Sequence, residues 1–166
     1  MCDYSLYSIP NRLAVQGEEL VTHRFLTGSI GLASPADLCK RNAIAASQAS
    51  QSGFWGKLKR LLAPPDLMPV PAVCVPPGAR LILKDIPADM QAQMNVGSEE
   101  SVTFVQTGIM ENQYRDAVRF ENARELGLQS LREGQRVHVL SLDLEPRHIA
   151  RQKRREPEWR MVFPTR

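Results

Sequence analysis

Two residue types in this chain have the chemistry to act as a nucleophile and its base: Cys2 and His23. If the initiator methionine is removed, Cys2 presents an α-amine beside its own thiol, and such a pair can serve as nucleophile and base together. Asp3 follows it directly. His23 is the other well-placed polar group, on a segment that otherwise reads as an apolar strand face. A Cys2–His23 pair would activate a thiolate. The plain alternative is that Cys2 is without consequence and His23 is a core histidine satisfied by the backbone. The sequence favours that alternative, because it carries no Gln-Ala-Cys or Cys-Gly-Ser-Cys signature.

Other site chemistries have weaker support. Cys2, His23, Cys39, Cys74, His138 and His148 include zinc-ligand types, but none pair at the short spacings that preorganise a site. No metal and no cofactor is therefore expected. There is no Gly-x-Ser-x-Gly, and the segment from Gly28 to Gly31 lacks the Lys-Ser/Thr ending of a phosphate loop. The carboxylate pairs Glu18-Glu19 and Glu99-Glu100 fall in turn-like positions and read as solvated charges.

Two stretches are candidate contact surfaces. Phe54-Trp55-Gly56-Lys57-Leu58-Lys59-Arg60-Leu61-Leu62 reads as a short amphipathic helix. Phe54, Trp55 and Leu58 lie on its apolar side and Lys57 and Arg60 on or beside the other. It suits a partner groove or an anionic surface, or simply packs on the domain. The second stretch is a basic tail with Arg151, Arg154, Arg155 and Trp159. Residues 147–166 hold seven basic and two acidic residues, a net of +5, whereas 1–146 sum to −2. The basic character thus belongs to the tail, which weakens any argument from overall charge to nucleic acid.

The elements that must position these residues are short strands. Asp116 to Leu144 reads as a three-stranded meander, with turns at Glu121–Arg124 and Arg132–Gln135. Its last strand changes phase: Val137 and Val139 share one face, and Leu140, Leu142 and Leu144 the other. Either both faces are buried or a bulge shifts the register near Val139, so this strand should be central or covered. Further strands are expected over residues 3–9, Glu19–Leu26, Val73–Val75, Ala79–Lys84 and Ser101–Gly108, with Trp159–Phe163 as a returning edge. Thr27–Ala33 reads as a tight, bulged segment, and Ala88–Met94 as one helical turn or a loop. Ser34-Pro35-Ala36-Asp37 is a helix start, leading into an Ala/Ser/Gln-rich surface helix up to about Gln51. Six prolines between Pro64 and Pro77 form an extended connector.

The expectation is a mainly β fold: a small barrel or sandwich of short antiparallel strands with one inserted helical segment at about 34–70. It makes a single domain over 1–146, followed by the tail. A length of 166 residues with 43% apolar and 23% charged residues suits one soluble domain. No transmembrane run and no secretory leader is visible, so a cytoplasmic location is expected by default. Three widely spaced cysteines make a disulfide framework unexpected and point to reduced thiols.

The opening Met1-Cys2-Asp3-Tyr4-Ser5-Leu6 resembles a family of small bacterial proteins that begin in the same way. The likeness continues through Leu20-Val21-Thr22, Arg24-Phe25, Gly31, Val73-Cys74-Val75-Pro76-Pro77-Gly78 and Gly134-Gln135-Arg136-Val137. Those relatives are shorter between Gly31 and Val73, which fits an inserted helical excursion here. Tyr7 stands where the family pattern has a histidine. The resemblance implies kinship but no activity, cofactor or catalytic residue. The function expected on all these grounds is a non-enzymatic β-barrel module that binds a partner or ligand. The alternative is a thiol-dependent activity or sensor centred on Cys2.

Overall fold

The computed structural model describes residues 9–50, 69–108 and 114–142, without the side chains of 48–50. Expectations for 3–8, the amphipathic stretch 54–62 and the tail from 143 onward lie outside the described residues. What is described is mainly β. Nine strands and two α-helices occur among the described residues: β1 (Asn11–Leu13), β2 (Glu19–Arg24), β3 (Ile30–Ala33), α1 (Pro35–Ser50), β4 (Ala72–Cys74), β5 (Arg80–Lys84), α2 (Ala88–Met94), β6 (Glu100–Gln106), β7 (Asp116–Phe120), β8 (Glu125–Gly127) and β9 (Arg136–Ser141). Seven strands form one curled antiparallel sheet, a half-barrel, in the order β3-β2-β9-β5-β6-β7-β8. β1 and β4 form a separate parallel pair.

The core follows from strand alternation. Leu20 and Thr22 of β2, Leu81 and Leu83 of β5, Val102 and Phe104 of β6, Val118 and Phe120 of β7, and Val137 and Val139 of β9 are all buried. They point to one face because alternate residues of a strand do. Met90 and Met94 of α2 close over this cluster. The opposite face carries Glu19, Val21 and His23 on β2 and Arg136 and His138 on β9, all partly or fully exposed.

Three sequence expectations change. The meander from Asp116 holds only as far as the β7–β8 hairpin. A 3-10 turn at Leu128–Ser130 then carries the chain away, and β9 pairs with β2 and β5 instead. In that central position Val137 and Val139 are buried in the core. The segment after Gly28 is a regular strand, β3, closing a hairpin with β2. Gly28, at φ +82, permits the tight turn that returns the chain, with its N–H donating to the Phe25 carbonyl. Asn11–Leu13, where no strand was expected, is the short strand β1, whose partner β4 is distant in sequence.

Other expectations hold. Helix α1 starts at Pro35 with the Ser34 carbonyl accepting from Leu38 N–H, as its first turn requires. β9 is central, and its register against β5 shifts where Arg80 faces Ser141 and Leu81 faces Val139, leaving Leu140 as the extra residue. No described helix is long and apolar enough to cross a membrane.

Candidate functional site

The site begins with the turn Arg132–Gln135, which is stitched to β2. Thr22 is buried, and its hydroxyl donates to the Arg132 carbonyl while accepting from Gln135 N–H at 2.9 Å. The Thr22 carbonyl accepts from Gly134 N–H at 2.8 Å, and Thr22 N–H donates to the Gln135 carbonyl at 3.0 Å. Gln135 is buried as well, and its side-chain amide donates to the Lys84 carbonyl. Pinned in this way, the turn holds Glu133 against the next residue of β2, His23.

Glu133 Oε1 lies 2.9 Å from His23 Nδ1 and accepts from Arg24 N–H at 3.1 Å. Helix α1 approaches the same imidazole from the other side. Leu38 packs on a small apolar cluster of Ile9, Phe25, Ala33, Val70 and Ala72. Arg41 lies three residues further on, on the same side of the helix. Its Nη1 is 3.4 Å from His23 Nε2.

These contacts suit one tautomer of the ring. A guanidinium N–H can only donate, so Nε2 is the unprotonated acceptor. The ring proton is then on Nδ1, where the Glu133 carboxylate accepts it. His23 therefore stands as a neutral imidazole between an anion and a cation. Burial pushes its pKa below the ordinary histidine value, and the Arg41 charge pushes the same way, against Glu133. Glu133 is held below the usual carboxylate range, chiefly by the Arg24 backbone N–H.

A cleft of about 70 Å3 opens beside this group, lined by Ile9, Phe25, Val70, Pro69, His23 and Arg41, with Arg24 and Leu26 at its rim. Its wall is mostly apolar, and the ring of Phe25 meets His23 edge-on at 5.1 Å between centroids. Arg41 is one of the described arginines without a carboxylate partner; Arg80, which donates to Ser101 Oγ at 3.4 Å, is another. Arg12, Arg119, Arg132 and Arg136 are paired with carboxylates. Arg24 and Arg124 donate to backbone carbonyls. Among the described residues, Arg41 has only the long contact to His23 and another to Asn42 Oδ1 at 3.5 Å. Among the described residues, this cation thus faces an apolar cleft without a carboxylate partner.

Of the thiol pair, His23 is placed and Cys2 lies outside the described residues. The remaining cysteines behave differently from one another. Cys39 is a free, exposed thiol on α1. Cys74 on β4 is disulfide-bonded, which corrects the expectation of reduced thiols. His138 faces outward from β9, with Nδ1 3.1 Å from Glu19 Oε1, and Glu19 also accepts from Lys84 at 2.8 Å. His23 lies four residues beyond Glu19 on β2, about 13 Å along the strand, so the two histidines do not share a site. No group of three or more His, Cys, Asp or Glu side chains among the described residues is arranged to hold a metal ion. The candidate contact residues Phe54, Trp55, Lys57, Leu58, Arg60, Arg151, Arg154, Arg155 and Trp159 lie outside the described residues.

Arg41, Glu133, Phe25 and Val70 were not singled out as site residues by the sequence. Only the pairing of β2 with the turn before β9, some 110 residues away, brings Glu133 to His23. No local spacing carries that signal. Comparison with family models, with curated proteins and with solved structures finds no match.

Proposed function

We propose that the protein is a non-enzymatic binding module, a β half-barrel that takes a small ligand in the cleft between β2, α1 and Val70. The observation that carries this reading is the open guanidinium of Arg41 beside an apolar wall. Pockets that recognise ligands combine an apolar lining with a few directed polar groups. The alternative, thiol chemistry at Cys2 with His23 as base, needs the Nε2 lone pair. Arg41 Nη1 lies 3.4 Å from that nitrogen, and Glu133 Oε1 lies 2.9 Å from the other. A binding role uses both contacts as they stand.

The kinship with small bacterial proteins and the contact surfaces at 54–62 and 147–160 belong to the same proposal. The latter would recruit a second protein or an anionic surface. We take the protein to be soluble. Its default cytoplasmic placement sits poorly with a bonded Cys74, because disulfides persist in oxidising compartments.

A fragment-scale ligand screen followed by 1H–15N correlation NMR tests the reading. Expected are hits whose shift changes centre on His23, Phe25, Arg41 and Val70, and which vanish in Val70→Trp, where the indole fills the cleft. Hits confined to other surfaces, or thiol-dependent turnover lost in Cys2→Ser, would overturn it.

A further inference from the structure

We infer that the cleft recognises an aliphatic carboxylate, its charge on Arg41 and its short apolar end against Ile9, Phe25 and Val70. This inference rests on the binding-module reading and names the ligand class for the same cleft.

Size limits the ligand first. A volume of about 70 Å3 is two to three times the roughly 30 Å3 share of one water molecule. Pockets for drug-sized ligands and cofactors run to about 300–1,000 Å3. The cleft therefore holds an end group and not a nucleotide or a ring system.

Charge limits it next. Arg41 lines the cleft with no anion of its own among the described residues. Its contacts at 3.4 and 3.5 Å are to neutral acceptors, and both are long for a hydrogen bond. Glu133, the nearest carboxylate to the imidazole, is already shared between His23 Nδ1 and Arg24 N–H. It is not available to Arg41. A planar carboxylate matches the guanidinium fork with two parallel hydrogen bonds, and such charge-assisted bonds are the strong ones. Arg24 does not compete, because its guanidinium is turned to the Gly28 carbonyl at 2.8 Å.

The apolar wall completes the specification. Ile9, Phe25 and Val70 belong to a small cluster separate from the main core, and Leu26 stands almost fully exposed at the rim. An inorganic anion would satisfy Arg41 and leave this wall wet. A methyl or ethyl group attached to the carboxylate covers it. The same chemistry is offered by a free short-chain acid and by the apolar C-terminal residue of a peptide.

The experiment is an NMR titration of the full chain with propionate, its neutral isostere propionamide, inorganic phosphate, and an acetylated tripeptide ending in valine. Propionate is expected to bind weakly, in roughly the millimolar range for so few atoms, with shifts at His23, Phe25, Arg41 and Val70. Arg41→Gln is expected to weaken it by at least about tenfold, as loss of a hydrogen bond to a charged group does. Arg41→Lys should fall between the two, keeping charge but not the fork. The tripeptide binding more tightly than propionate assigns the carboxylate to chain ends, and the reverse order assigns it to free acids. Propionamide binding as well as propionate would overturn the charge assignment while leaving the cleft a binding site. Phosphate binding as tightly as propionate would overturn the aliphatic assignment. Silence toward propionate and the tripeptide in the wild-type protein would overturn the inference outright, and the fragment screen above then decides separately whether the cleft binds at all.

Discussion

The main core and the cleft beside β2 are built from the same kinds of residue and do opposite things with them. In the core, β9 lies between β2 and β5, and its Val137 and Val139 are sealed by Leu20, Leu81 and Leu83. Polar groups that reach it, such as Thr22 and Gln135, are bonded to backbone partners. Beside the cleft, the cluster around Phe25 and Val70 stops short of closing, and a guanidinium with no anion among the described residues faces the gap. The first region fixes a structure; the second leaves a valence open. That contrast is what the binding proposal rests on.

The contrast breaks most visibly under truncation. Leu83→Ala, at a fully buried site, is expected to cost about 2–5 kcal/mol in denaturant unfolding. Val70→Ala, against an existing gap, should cost roughly 1–1.5 kcal/mol, scaled from about 0.8 kcal/mol per buried methylene. Equal costs would place the cleft within the core and remove the distinction. Next in size is Thr22→Val, which keeps the shape but strips the hydroxyl that holds the turn before β9. A loss of about 1–3 kcal/mol is expected. Because that turn carries Glu133, the imidazole signals of His23 should shift as well.

The pH dependence of stability sharpens the same comparison. The folded pKa of His23 is depressed, so its contribution is complete above the unfolded value of about 6.5 and is lost as pH falls through the lower folded value. His23→Gln should flatten the stability curve below pH ~6.5 while leaving the mildly alkaline limb unchanged. An unaltered acid limb would mean that another group governs it. The smallest effect belongs to the exposed rim: Asp89→Asn, which breaks a pair with Arg132 open to solvent on both sides, should change stability by less than about 1 kcal/mol.

Much of the scaffold was legible from the chain, and the reasons differ by element. Strands β5, β6 and β7 show alternation or apolar runs bounded by turn residues, and α1 carries its start signal in Ser34-Pro35. The phase change of the last strand was legible too: it offered a bulge near Val139 as one of two explanations, and the register shift leaves Leu140 as the extra residue. Pairing order was not. Nothing local in Leu128–Ser130 says that the chain will abandon β8 and insert between β2 and β5, two strands far apart in the sequence. The site shared that fate. His23 was noticed as a polar residue on a strand, but its partners Arg41 and Glu133 read as ordinary surface charges. Their significance is positional: one lies a helical turn from the anchor Leu38, and the other on a turn that Thr22 pins in place.

The account depends on His23 standing neutral, with its proton on Nδ1, so that the Arg41 charge is left to face the cleft. A long-range 1H–15N correlation spectrum of the imidazole, recorded from pH 8 down to pH 5, tests this directly. The account predicts a single neutral tautomer protonated at Nδ1 at pH 7, and a titration midpoint below 6.5. A midpoint above 6.5, or a proton on Nε2, would contradict it.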